Sequence, residues 1–250
     1  MFRLLSWAAV ALAVGLTHGA AAAGPSGACD VPADLVAPTH PLAALGRVLH
    51  PGGRLDVLAL GSGTLLGRRG GVEGSVPEHM VDALRAAVPG MTVRLTLQGA
   101  RAETAATMLA VMHSELAQHA YQLVLWQTGT VEAVRKLPPE QFRQTLTDGT
   151  DTALKAGADL VLIDVPYSRL LVNHSDLQPY RDVIQGIAAH VDVTLFRRYD
   201  LMRHWVEAGT IDMEAAGRGE RDRTADRLRS CLGLALARLI LAARPPQTAR

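Results

Sequence analysis

The sequence predicts an α/β protein: a flavodoxin-like three-layer α/β/α sandwich around a parallel sheet of about five strands. Three observations carry that expectation. Short apolar runs alternate along the chain with longer stretches of helical periodicity. The runs lack strict polar–apolar alternation, as strands buried on both faces should. The strand–helix–strand order calls for right-handed crossovers between parallel neighbours, which places helices on both faces of the sheet.

The elements follow in order. Residues 1–23 read as a secretory signal. Met1-Phe2-Arg3 supplies the positive start, and Leu4 to Leu16 forms an apolar core too short to span a bilayer comfortably. Ala20 to Ala23 offers small-residue cleavage sites. The protein is therefore expected in the periplasm, with no integral membrane span in the mature chain. Residues 24–53, rich in Pro, Gly and Ala, predict an extended lead-in with one short helix near 42–49. One domain is expected over 54–243. Its strands are predicted at 55–60, 92–97, 122–126, 160–164 and 191–196. Its helices are predicted at 77–88, 103–119, 138–156, 177–190 and 225–243, the first and third opening on Pro, which suits a first helical turn. Residues 244–250 read as a disordered tail.

Composition narrows the classes of function. A chain of 250 residues can bury one sizeable core. The formal charge of +1 gives no strong field to draw in nucleic acid. No H-x-x-x-H or paired-Cys spacing calls for a metal, and no cofactor is expected. The two cysteines, Cys29 and Cys231, are an even pair in an exported chain and predict a disulfide between the mature amino terminus and the last helix.

The stretch that carries chemistry is DVLALGSGTLLG, Asp56 to Gly67. An apolar strand runs into a small-residue turn, Gly61-Ser62-Gly63-Thr64. Such a turn at a strand's carboxyl end presents backbone N–H groups and a hydroxyl where open α/β sheets place their sites. Gly99 follows the second strand in Leu97-Gln98-Gly99-Ala100-Arg101. Gln127-Thr128-Gly129-Thr130-Val131 follows the third, and Glu220-Arg221-Asp222-Arg223 precedes the predicted final helix.

In their order and spacing these segments resemble the blocks of the SGNH (GDSL) hydrolases. The resemblance covers most of the chain after about residue 54. It implies a sandwich with a catalytic serine after the first strand, and ester hydrolysis on carbohydrate or lipid acyl groups. It also implies an oxyanion hole from the Ser N–H, the N–H of a Gly at position 99 and an Asn side chain two residues after Gly129. A D-x-x-H pair would supply the base. Two registers of the first block are open. If Gly61 matches the family's Gly, Gly63 occupies the Ser position and the nucleophile is lost. If Thr64 matches the family's Thr, Ser62 is the nucleophile.

This chain departs from the pattern where the chemistry is most exacting. Val131 stands at the Asn and cannot donate a hydrogen bond. Arg223 stands at the His and cannot act as a base, since it stays protonated. No register repairs this: the sole Asn of the chain is Asn173, and no His follows His204. Serine without a base is a poor nucleophile. The expected function is therefore an exported SGNH-like protein with weak or lost hydrolysis and a cleft retained for a glycan or acyl-ester ligand. The alternatives are an active esterase using Ser62 with a displaced base, or a non-catalytic envelope assembly partner. Asp200 and His204, at i and i+4, could form such a base pair on a helix. Arg101 and Arg223 could line an anion pocket at the strand ends.

Overall fold

The computed structural model describes residues 29, 32–190, 192–214 and 217–244. The expected signal segment, and residues 245–250 of the expected tail, lie outside the described residues. Five strands form one sheet: β1 (Arg54–Leu60), β2 (Thr92–Gln98), β3 (Leu123–Gln127), β4 (Asp159–Ile163) and β5 (Thr194–Phe196). Their spatial order is β2-β1-β3-β4-β5, and every pairing is parallel. Nine helices surround it among the described residues: α1 (Ala43–Val48), α2 (Val76–Ala87), α3 (Ala105–Gln118), α4 (Thr130–Arg135), α5 (Pro139–Lys155), α6 (Arg169–His174), α7 (Gln178–His190), α8 (Arg198–Glu207) and α9 (Arg218–Ala242).

The strand period divides the core. Leu55, Val57 and Ala59 of β1 face one side with α2, α8 and α9, while Leu58 and Leu60 face the other with α3, α5 and α7. Alternate side chains of a strand point to opposite faces, so a strand that is apolar throughout needs cover on both. Two glycines set the spacing of these layers. A Cβ at Gly233 of α9 would collide with Cβ of His79, so its absence lets α9 pack directly on α2. A Cβ at Gly149 of α5 would enter the ring of the buried Trp126 on β3.

The lead-in is built into the domain. Leu42, Leu45 and Leu49 are buried in the α2–α9 half of the core. Asp159, at the start of β4, accepts the N–H of Leu45 at 2.7 Å and so caps α1 from a distance. Burial pushes the Asp159 carboxyl above its ordinary range, and the amides of Leu45, Ala44 and Ala43 oppose that rise. Residues 39 and 40 cover the β5 edge: Leu195 N–H donates to Thr39 Oγ1 at 3.2 Å, and Thr194 Oγ1 donates to His40 O at 2.7 Å. A covered edge offers no template for strand pairing with another chain.

The strands lie within two residues of their predicted bounds, except β5, which opens at Thr194 rather than 191; residue 191 lies outside the described residues. The periodicity predicts neither α4 nor α6, because a six-residue helix is too short to repeat a pattern. Helix α9 begins at Arg218, seven residues before the predicted start at 225. Its first two turns are almost wholly charged and carry no apolar period to read.

Cys29 and Cys231 are joined in a disulfide across a sequence separation of 202. Cys231 is buried in α9, so the bond fastens the start of the described chain to the core's last helix. In the chain-entropy model, closing so long a loop stabilises the fold by about 5 kcal/mol. Without reductant, the denatured protein is expected to take up no alkylating agent. After reduction it should take up two equivalents by intact mass, and its melting temperature should fall. Two free thiols in the unreduced protein would contradict the pairing.

A candidate cleft at the strand ends

The site is built on a contact between two glycines. Gly61 ends β1 and donates its N–H to Gln98 O at 3.2 Å. Gly99 follows β2 with φ of +151°, and a Cβ there would collide with the carbonyl oxygen of Gly61. Only glycine allows the two strand ends to close in this way. Gln127, the last residue of β3, donates Nε2–H to the Ser62 carbonyl at 3.0 Å. The turn after β1 is thus fixed from both neighbouring strands.

That fixing decides which way each turn residue faces. Ser62 is extended, with φ of −132°, and is 5% exposed. Gly63 has φ of +53° and opens a short 3-10 turn. A Cβ at Gly63 would meet nothing within 4 Å, so position 63 faces the open space above the sheet.

Two adjoining hollows lie there, of about 550 and 620 Å³. Gly63 and Gly99 line the first, and Gly67, Arg69, Arg101 and Arg229 line both. Arg68, Asp222 and Asp226 complete the charged wall of the second. Asp226 accepts from Arg68 at 2.5 Å and also from Arg229. The hydrogen bond from Arg68 holds the Asp226 carboxyl below its ordinary range. Arg68 and Arg69 lie in a glycine-rich loop. Its backbone is cross-tied by Gly67 N–H to Gly71 O and by Arg68 N–H to Glu73 O, both at 2.8 Å. A Cβ at Gly67 would collide with Glu73 O, so that cross-tie also demands glycine.

The other predicted positions divide. Gly129 caps α4 with φ of +89°, and a Cβ there would press on Val165 and Ile184 at 3.0 and 3.1 Å. Val131 is half-buried on α4 and lines neither hollow. Arg223 is exposed on α9 and lines neither. The α9 side chains that do so are Asp222, Ala225, Asp226 and Arg229, spaced to share one helix face. Asp200 does not serve His204: it accepts from Arg181 at 3.2 Å and from Arg197 at 3.0 Å.

At the ends of β4 and β5 the charged groups are turned on one another. Arg181, buried, donates to Asp164 at 3.1 Å and stacks on the Tyr199 ring with Cζ 3.9 Å from its centroid. Burial raises the Asp164 carboxyl, and Arg181 opposes the rise. Burial pulls the nearby Arg198 down to about 9 against the pull of Asp164. A separate hollow of about 520 Å³ opens beside these groups, lined by Asn173, His174, Arg181 and Tyr199 among others, while the hollows that adjoin Gly63 and Gly99 lie on the β1–β2 side.

Glu132 is the supporting residue that the sequence reading missed. It is 3% exposed. It accepts Gly129 N–H at 3.0 Å and Ala105 N–H at 2.5 Å, joining the start of α4 to the start of α3. The signal was an acidic residue three positions after Gly129, the spacing that lets a side chain reach back to a helix cap. Arg68 and Arg69 were missed too, although an arginine pair flanked by Gly67, Gly70 and Gly71 is legible as a shaped loop.

The profile of the Non-GDSL lipase-like family matches residues 28–244. None of the curated proteins matches the chain. Among solved structures, a catalytic mutant of Axe2, an acetylxylan esterase from Geobacillus stearothermophilus, is similar with TM-score 0.60 and 13% identity. The match covers 76% of this chain and 95% of that one. A member of the lipolytic protein G-D-S-L family from Veillonella parvula DSM 2008 gives TM-score 0.55 at 13% identity, covering 72% and 96%. LAE5, an alpha/beta hydrolase enzyme from the metagenome of Lake Arreo, Spain, gives 0.55 at 13%, covering 75% and 99%. At these identities the likeness is one of fold.

The two bonds of Glu132 generate a test. Glu132→Gln keeps the shape but sets an NH2 group against one of two buried N–H donors. Unfolding by urea should show a loss of about 2 kcal/mol. Hydrogen exchange should accelerate at Ala105 and Gly129 before the amides of β1 and β3. A variant as stable as the parent would show that this carboxylate does not hold the loops.

Proposed function

Because the chain belongs to the Non-GDSL lipase-like family, a divergent branch of the SGNH/GDSL-like hydrolases, we propose that it is an exported relative whose ester hydrolysis is weak or lost. Its strand-end cleft is kept as a binding site. The ligand class that the fold relatives suggest is a glycan or an acyl ester; one of them is an acetylxylan esterase. The periplasm is its proposed compartment, a reading supported by the signal pattern of residues 1–23 and by the Cys29–Cys231 pair.

One observation carries the reading. The position that opens freely into the cleft after β1 is Gly63, which has no side chain, while Ser62 is only 5% exposed. The surroundings agree with it. A serine nucleophile needs a base within hydrogen-bond reach, and no histidine lines either hollow. The arginines that do line them stay protonated and accept no proton. Val131 brings no donor to an oxyanion. What remains is a shaped, cationic recess beside the Gly63 and Gly99 backbone.

The test is hydrolysis of short-chain aryl esters by the purified protein beside its Ser62→Ala variant. Loss of a triad member costs about 10⁶ in turnover in a protease example, and one oxyanion donor accounts for about 10²–10³. Both proteins are expected to match the buffer rate. A rate well above buffer that Ser62→Ala abolishes would make Ser62 a nucleophile with a displaced base, and would overturn the reading.

A further inference from the structure

We infer that the two hollows form one site for a dianionic oxyanion, with the chemistry of a phosphate monoester; the inference rests on the reading of the cleft as a retained binding site. Four arginines line it, Arg68, Arg69, Arg101 and Arg229, against two carboxylates, Asp222 and Asp226. Four positive charges less two negative leave a net charge of +2 on its walls. Glu73 stands behind Arg68 and adds a weaker negative contribution there. The chain as a whole carries only +1, so this excess is local. A concave, cationic recess concentrates anions more than the same charges spread over a convex surface.

The backbone that carries Arg69 and Arg101 is constrained, and the Arg229 side chain is held by Asp226. Arg69 adopts φ of +55°, a left-handed conformation that a long side chain rarely takes. Residues kept in such conformations cluster at ligand clamps. Arg101 precedes Ala102, with φ of +65°. The loop of Arg101 is pinned on both sides: Ala100 N–H donates to Glu103 at 3.0 Å, and Arg135 donates to Ala102 O at 3.0 Å. Of the three non-glycine residues with positive φ among the described residues, Arg69 lines the cleft and Ala102 directly follows Arg101, which does. Arg229 is mostly buried, donates to Asp226 and keeps its Nε–H buried with no acceptor among the described residues.

The ligand chemistry follows from the donors. A guanidinium presents a planar fork that matches two oxygens of a phosphate or carboxylate at once. A single carboxylate would leave half the net charge unanswered. A phosphate monoester carries about −1.5 to −2 at neutral pH and offers three acceptor oxygens, which answers both the charge and the number of donors. The phosphate could arrive free or attached to a sugar, and the test separates the two.

The purified full chain is titrated calorimetrically with inorganic phosphate, glucose 6-phosphate and acetate, at about 20 mM and about 300 mM NaCl. Both phosphates should bind, and acetate should bind at least about tenfold more weakly. Binding should weaken at the higher salt. Glucose 6-phosphate tighter than inorganic phosphate marks a sugar-borne ligand; equal affinities mark the free anion. Arg69→Asn with Arg101→Gln should weaken phosphate at least about tenfold. These two exposed side chains take part in no ion pair among the described residues, and Asn tolerates positive φ, so the fold should persist. Arg229→Gln should weaken phosphate as well, and Arg94→Gln, on the exposed edge strand β2, should not. Absence of phosphate binding at low salt, or equal binding by the double variant and Arg94→Gln, would overturn the inference. Ser62-dependent ester hydrolysis would instead sink the reading on which it rests, so the two failures are distinguishable.

Discussion

The cleft depends on a backbone contact with no room for a single carbon atom. The carbonyl of Gly61 lies where a Cβ of Gly99 would be, so the ends of β1 and β2 meet main chain to main chain. Gly61 is confined as well: a Cβ there would come within 2.5 Å of Leu65 Cδ2 and 3.0 Å of Gln127 Cβ. Gln127 then takes hold of the Ser62 carbonyl. With both sides pinned, the turn has one way to run. Ser62 is nearly covered, Gly63 is open, and the loops that follow β1 and β2 line one recess. The arginines of those loops, Arg69 and Arg101, face that recess because their anchors are glycines.

The frame is that of the family, a lipase-like one, and the binding role proposed above rests on the walls of its cleft. Nucleophilic catalysis on an ester needs a group that gives up a proton, a neighbour that takes it, and donors aimed at the oxyanion. Here the outward position carries only hydrogen, no histidine lines the cleft, its arginines cannot take a proton, and of its two carboxylates Asp226 is tied to Arg68 and Arg229. The same cations suit the recognition of negative charge. On the β4–β5 half of the sheet, beside a second hollow lined by His174, Arg181 and Tyr199, several charged groups are committed to one another. Asp164, Arg181, Asp200 and Arg197 pair with one another, and burial makes breaking the Arg181–Asp164 pair costly, whereas Arg197 is partly exposed. Among the described residues, the unpaired excess of arginine lies on the β1–β2 side.

The fold was legible because its strands are buried on both faces and read as continuous apolar runs, as in Val124-Leu125-Trp126. The six-residue α4 and α6 were not, since periodicity needs more turns than they have. The site was legible at its glycines and less so at its side chains. Gly61, Gly63 and Gly99 lie at the strand ends that the block spacing implies. The two registers of the first block could not be separated without geometry, because Ser62 and Gly63 differ in direction rather than in position along the chain. Arg223 marks a different limit. The charged run around it conceals where α9 begins, and residues one apart on a helix point about 100° away from each other. Asp222 and Asp226 face the cleft, and Arg223 does not. Arg229 reaches it from seven residues beyond Asp222, two turns along the same face.

The central claim is that position 63 is the cleft's outward position and position 62 is not. It is tested most directly by placing a thiol at each. In Ser62→Cys and Gly63→Cys, with the Cys29–Cys231 disulfide left intact, the rate of alkylation by iodoacetamide is followed by mass spectrometry. The Gly63→Cys thiol should react at least about tenfold faster than the Ser62→Cys thiol, since access governs alkylation of a thiol. A Ser62→Cys thiol that reacts as fast as its neighbour would contradict the account, because the residue assigned to the interior would then be the one presented to the ligand.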